Sequence, residues 1–155
     1  AETDTIARFV LYTTSIQILI DYFPFGCGFG SFATYASGLY YSHIFNQYGI
    51  ENVWGISKSF YSFIADTYYP SLAQFGFVGI MLYITFWIYV FKKALIFFQH
   101  TKQAKLMIIV LLLICFFGIE GTSDSTITTH RGLFMMMMIG LMLSEMKNKI
   151  ANSKS

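Results

Sequence analysis

The stretch Ser71–Phe91, SLAQFGFVGIMLYITFWIYVF, decides how this chain is read. It holds no formally charged residue and runs straight into Lys92-Lys93. A bilayer core is about 30 Å thick and takes about 20 apolar residues as a helix, so the segment is expected to span a membrane. The composition points the same way. Of 155 residues, 55% are hydrophobic, 19% aromatic and 12% charged. The charged share is about half that of an average soluble domain. A soluble globule of this length could not enclose so much apolar surface. Disordered and collagen-like chains are excluded. A net charge of +2 is too small for a nucleic-acid footprint. Cys27 and Cys115 sit in unlike surroundings and suggest neither a disulfide framework nor a metal site.

Two further apolar runs follow, Leu106–Ile119 and Gly132–Leu143. Both are short for a full span, and they read as a helical hairpin joined by EGTSDSTITTHR (120–131). The third run can lengthen toward Lys147 and Lys149, which could snorkel to headgroups. The expected organisation is an all-α polytopic membrane protein: an extracytoplasmic helix and loop region (1–70), a span (71–91), a cytoplasmic loop (92–105), a helical hairpin (106–143) with its outer connection (120–131), and a cytoplasmic tail (144–155). Charge sets the orientation. The inner segments carry Lys92, Lys93, Lys102, Lys105, Lys147, Lys149 and Lys154 against Glu145. The outer ones carry Arg8, Lys58 and Arg131 against Glu2, Asp4, Asp21, Glu51, Asp66, Glu120 and Asp124. An excess of lysine marks the cytoplasmic side. The opening Ala1-Glu2-Thr3, with no initiator Met and no signal peptide, is read as the interior of a longer chain, of which this is the C-terminal part.

Residues 5–20, TIARFVLYTTSIQILI, would reach only about 24 Å as a helix and are interrupted by Arg8. An amphipathic helix at the outer surface is expected, with a tilted or broken span as the alternative. From Asp21 to Tyr69 the chain is Gly- and Tyr-rich without a clear period. Loops of that length are usually functional. The methionine run Met135–Met138 reads as a lipid-facing or helix-packing surface.

The candidate residues each carry two readings. Pro24-Phe25-Gly26-Cys27-Gly28-Phe29-Gly30 lacks the strand and helix context of a dinucleotide fingerprint. It is a tight packing turn or part of a substrate cavity formed by Gly26, Gly28 and Gly30. Arg8 is an interfacial arginine or a bidentate grip on phosphate. Asp66 is the N-cap of the following helix, with Pro70 in its first turn, or a carboxylate acting as general base. Glu120, Asp124, His130 and Arg131 are an exposed loop or cavity-facing groups at membrane depth. His43 and His100 are isolated, and no spacing resembles a metal site.

An arginine-bearing helix leading into DYFPFGCGFGSF (21–32), then a long outer loop, then ADTYYPSLAQFGFVGI (65–80), then a hairpin carrying IEGTSDSTITTHRGLF (119–134) form a recognisable order. This order resembles the C-terminal half of the O-antigen ligase and O-antigen polymerase superfamily. The resemblance implies a fold similar to the GT-C membrane glycosyltransferases, with no metal or nucleotide cofactor. It implies a multi-pass protein of the bacterial inner membrane whose active face is periplasmic or extracellular. The implied donor is a glycan on undecaprenyl diphosphate, with membrane lipid, a chain-length regulator and a flippase as further partners and no nucleic acid.

Arg8 matches the family arginine that holds the lipid diphosphate. Arg8 and Asp66 are then the expected catalytic pair, and Gly26, Gly28, Gly30, Tyr68, Glu120 and Arg131 the expected substrate contacts. Ligases of the superfamily carry His-Asn where this chain has Ala65-Asp66. That departure turns the implied activity from ligase to polymerase, making O-antigen, capsule or exopolysaccharide. The ligase, which transfers finished polymer to lipid A-core or protein, stays as the alternative. A non-enzymatic transporter or accessory membrane subunit is the alternative of another class. Tyr40, Tyr41, Tyr48, Trp54, Tyr61, Tyr68 and Tyr69 offer flat faces to sugar rings, although tyrosine and tryptophan also populate membrane interfaces.

Overall fold

The computed structural model describes residues 2–62, 66–102 and 104–152, excepting the side chains of 2–6 and 152. Ala65, expected from the resemblance to stand where ligases carry histidine, lies outside the described residues. Helices dominate, and the chain divides into two compact units, Ala1–Leu82 with Gly121–Ser125, and Tyr83–Glu120 with Thr126–Ser155.

The first unit opens with α1, Glu2–Asp21. Ala7, Leu11, Thr14, Ser15 and Ile18 form its buried stripe at helical spacing. The opposite face is not uniformly polar, as an amphipathic surface helix requires. It exposes Phe9, Ile16 and Ile20 beside Thr13 and Gln17, so the outer face of α1 is mixed.

The segment after α1 shows no period in sequence because it is built from short pieces. These are α2 (Tyr35–Leu39), α3 (His43–Gln47) and an antiparallel hairpin of β1 (Ile56–Ser57) and β2 (Phe60–Tyr61), paired Ile56 to Tyr61. Thr34 caps α2 and Ser42 caps α3, each accepting a backbone N–H. Phe32, Ile44, Phe45 and Ile56 are fully buried and join Leu11 and Ile18 of α1 in one core. Truncating such a phenylalanine costs about 3–5 kcal/mol. Tyr48 donates to Asp21 at 2.7 Å and Tyr22 to Gln47 at 2.9 Å, fastening α3 to the end of α1.

The helix expected from Ser71 begins differently. α4 covers Tyr68–Ser71, a 3-10 turn covers Leu72–Phe75, and the regular helix α5 runs Gly76–Thr101. The break falls at Gly76, whose φ of +64° is one a side chain resists. Asp66 is not the helix cap: Thr67 holds that position, with no side-chain bond to the helix. The loop expected at 92–105 is helical as far as Thr101, because lysines extend an apolar helix without strain. Tyr68–Thr101 is long and apolar enough to cross a membrane, and is the one such stretch among the described residues.

The second unit pairs the rest of α5 with α6 (Ala104–Glu120) and α7 (His130–Asn152), the last two joined through a 3-10 turn at Thr126–Thr128. The tail expected from 144 is therefore helical to Asn152. Val90, Ala94, Phe97, Val110, Phe117, Ile139 and Met146 form its core. Trp87 tilts onto Phe117, ring centroids 5.5 Å apart. Met135 and Met136 pack on this core, whereas Met137 points outward. α6 has 17 residues, about 26 Å, short of a full core thickness.

Candidate functional site

The turn motif and the helix-entry motif fold onto each other within the first unit. Gly28 N–H donates to Gln74 O at 3.1 Å, Gly30 N–H to the buried Gln74 Oε1 at 2.6 Å, and Val78 N–H to Pro24 O at 3.3 Å. Gly26 and Gly76 meet backbone to backbone. A Cβ on Gly26 would lie 2.4 Å from Gly76 N, and one on Gly76 would lie 2.3 Å from Gly26 N. Gly26 is thus a packing glycine, with no room for a ligand at its Cα. Gly28 is open, with nothing within 4 Å of the Cβ position, and Gly30 meets only Ala36 Cβ at 3.5 Å.

This joint sets α1 against the 3-10 turn and α4. The chain segment Gly121–Ser125 is gripped by side chains and backbone of that assembly. Arg8 and Tyr12 are one helical turn apart, so they share a face. Arg8 Nη2 donates to Ser123 O at 3.4 Å, and the Tyr12 hydroxyl donates to Thr122 O at 2.9 Å. Tyr69 N–H donates to Gly121 O at 3.2 Å. The buried Nε of Arg8 has no hydrogen-bond partner among the described residues. Burial raises the Tyr12 phenol, Tyr69 adds to the rise, and the Arg8 guanidinium works against it. These three groups are therefore electrostatic neighbours.

Asp66 reaches the same segment. Its carboxylate accepts from the Ser125 hydroxyl and from the Tyr35 backbone N–H. The Ser125 N–H itself donates to Asp124 Oδ1 at 2.8 Å. Burial holds Asp66 above the usual carboxylate range. The Ser125 hydrogen bond offsets part of this, the charge of Asp124 adds to it, and the Tyr35 N–H opposes it.

Asp66 also lines a groove of about 340 Å³ with Tyr35, Gly38, Leu39, Tyr61 and Ser62. Tyr61 forms a fixed wall. Its hydroxyl bonds Thr34 O and Ser37 Oγ, both at 3.0 Å, and its ring packs against Gly38, where an added Cβ would clash with it. Tyr35, another lining residue, is 70% exposed.

The expected catalytic pair, Arg8 and Asp66, thus converges on one short segment. Tyr68 is half-buried beside Tyr69, ring centroids 6.1 Å apart. Glu120 and Arg131 belong to the second unit. There Glu120 accepts from the Thr126 hydroxyl, and Arg131 is exposed in the first turn of α7. Sequence reasoning missed Tyr12, Tyr35 and Ser125. The spacing of Tyr12 four residues after Arg8 was a usable signal. The other two depend on long-range packing. No group of three or more metal-ligating side chains occurs among the described residues. Searches with family models, curated proteins and solved structures find no match to this chain.

The arrangement has two chemical capacities. A carboxylate raised by burial, beside a groove walled by tyrosines, can accept a proton from a bound hydroxyl. A half-buried guanidinium with an unused N–H can receive an anion, which would complete its hydrogen bonding.

Proposed function

We propose that this chain is part of a multi-pass glycosyltransferase of the bacterial inner membrane. It polymerises undecaprenyl-diphosphate-linked oligosaccharide units at the outer face into O-antigen, capsular or exopolysaccharide. Tyr68–Thr101 crosses the bilayer, and α6 and α7 form a transmembrane helical hairpin. The lysines Lys92, Lys93, Lys102, Lys105, Lys147 and Lys149 face the cytoplasm. The exposed apolar side chains Leu112, Ile119, Leu133 and Leu141 on α6 and α7 support a lipid setting for that pair.

The observation that carries the reading is the convergence of Arg8 and Asp66 on Ser123–Ser125 from positions 58 residues apart in the chain. In the reaction, an acceptor sugar hydroxyl lies in the groove between Tyr35 and Tyr61. Its oxygen attacks the anomeric carbon of the donor glycan. The new C–O bond forms as the bond from that carbon to the diphosphate oxygen breaks, and the electron pair leaves with the diphosphate. Asp66 takes the hydroxyl proton. Arg8 stabilises the negative charge growing on the leaving oxygen, a role supported by its buried Nε with no partner among the described residues. One well-placed donor of this kind contributes about 10²–10³ in rate. The Tyr35 and Tyr61 rings give an apolar surface to the C–H faces of a sugar, which orients the attacking hydroxyl.

The test is Arg8→Ala in the producing strain, with glycan resolved by gel and membrane insertion checked by immunoblot. Loss of the long-chain ladder, with single units still displayed, is the expected result. An unchanged ladder removes Arg8 from the mechanism. Long polymer accumulating on the polyprenyl carrier without attachment assigns the chain to the ligase class instead.

A further inference from the structure

The segment between α1 and α4 holds a second recess that the reaction above does not use. It measures about 520 Å³ and is lined by α3, the Glu51–Asn52 turn and the tip of the β-hairpin. Asn46 and Asn52 contribute carboxamides, Glu51 a carboxylate, Ser57 a hydroxyl, Lys58 an ammonium and Tyr41 a phenol. In this wall the buried Glu51 Oε2 has no hydrogen-bond partner among the described residues, and the Tyr41 hydroxyl has the Lys58 backbone amide as its neighbour. Burial raises the Tyr41 phenol, the Glu51 charge raises it further, and the Lys58 backbone amide works against both.

The chemistry of the wall selects a ligand class. Glu51 and Lys58 offset one another and His43 counts as neutral at pH 7, so the recess has no formal net charge with which to attract a phosphate. It has a single carboxylate, too few hard ligands for a divalent cation. Carboxamides, a carboxylate and a hydroxyl around an aromatic side chain supply the alternating donors and acceptors that vicinal sugar hydroxyls need. The position fits as well. The fully buried Phe45 lies between Tyr41 of this recess and Tyr61 of the Asp66 groove, ring centroids 5.3 and 5.9 Å away. The two recesses therefore flank one aromatic tier and share the β-hairpin as a wall.

We infer that this recess is a second saccharide subsite, which holds internal sugars of an acceptor glycan whose terminal hydroxyl lies at Asp66. The inference rests on the proposed glycan chemistry and adds a length requirement to it. A single sugar occupies the Asp66 groove alone, whereas a chain of two or more repeat units engages both recesses.

The experiment uses the full-length protein in lipid nanodiscs. The probes are oligosaccharides of one and of three repeat units, released by mild acid from the producing strain's own polysaccharide, with binding followed by saturation-transfer NMR. The variant is Asn46→Ala with Asn52→Ala. Both residues are exposed, and the near-isosteric Glu51→Gln serves as a second variant should the first fold poorly. Two lost hydrogen bonds correspond to about tenfold weaker binding of the three-unit glycan, and one to about threefold for Glu51→Gln. Binding of the one-unit glycan stays unchanged. Equal affinity of wild type and both variants for the three-unit glycan overturns the subsite. The outcome is separable from that of the polymerase reading: length-dependent binding lost in the variants upholds the subsite even if no lipid-linked units are joined, and joining with length-independent binding upholds only the enzyme.

Discussion

Alanine at Gly26 attacks the joint on which the candidate site is built. Its Cβ would lie 2.4 Å from Gly76 N and 2.5 Å from both Ala73 O and Gln74 O. All three obstacles are backbone atoms, so no side chain can turn aside, and the turn must move away from the helix entry. The φ of +80° adds about 1–2 kcal/mol for a residue with a Cβ. Forced repacking adds about 1–3 kcal/mol. Together these come to about 2–5 kcal/mol, a large part of the roughly 5–15 kcal/mol that stabilises a typical domain. Gly28 is the internal control, since its φ of +102° is also positive but nothing lies within 4 Å of its Cβ position. Gly28→Ala therefore bears only the conformational cost, about 1–2 kcal/mol. Denaturation in detergent micelles, followed by the fluorescence of Trp54 in the same unit, compares the two. Gly26→Ala unfolds at distinctly lower temperature than Gly28→Ala. Equal midpoints would refute the packing argument.

Other consequences are open to measurement. Arg8→Lys keeps the charge but loses the planar fork of donors, so it recovers only part of the roughly 10²–10³ rate lost in Arg8→Ala; full recovery in a polymer ladder would reduce Arg8 to a point charge. The wild-type joining rate falls on acidification with an inflection above the ordinary aspartate range, because Asp66 is raised chiefly by burial, and a flat profile through that range removes it as the base. For stability the sign is the reverse of a salt-bridged carboxylate. A raised folded-state pKa favours folding below the unfolded value, about 3.9, and that contribution is lost as pH rises through the folded value. Asp66→Asn is accordingly inactive yet no less stable than wild type near pH 7, as thermal denaturation would reveal. Tyr61→Phe keeps the groove wall but strips the hydroxyl from Ser37 and Thr34 O; the expected loss is about 1–3 kcal/mol in the same melt.

Much of the helical layout was legible. The uncharged run Ser71–Phe91 marks the core of the long helix, and the two later apolar runs mark α6 and α7. Boundaries were less so. Lys92 and Lys93 look like an end in sequence, but they are good helix formers, and α5 continues to Thr101. The entry is displaced for a reason no window of hydropathy reveals: Gly76 must turn left-handed to meet Gly26, 50 residues away. Asp66 has a cap residue's chemistry, yet Thr67 takes that place and leaves the carboxylate to Ser125 and Tyr35. The site was half legible. Arg8 stood out as a lone cation in an apolar stretch, and Asp66 as a carboxylate before a span. The segment both approach, Ser123–Ser125, is about 115 residues from Arg8, and only packing brings it there. The segment 21–69 gave no period because elements of five residues or fewer are too short to repeat one.

The central claim is that Arg8 and Asp66 join sugars by expelling a polyprenyl diphosphate. The direct measurement places the purified full-length protein in liposomes with lipid-linked repeat units and no nucleotide sugar. The account predicts longer lipid-linked glycan, one polyprenyl diphosphate released for each linkage made, and neither product with Arg8→Ala. Absence of both elongation and diphosphate release with folded, membrane-inserted wild-type protein, or full activity in Arg8→Ala, would contradict it.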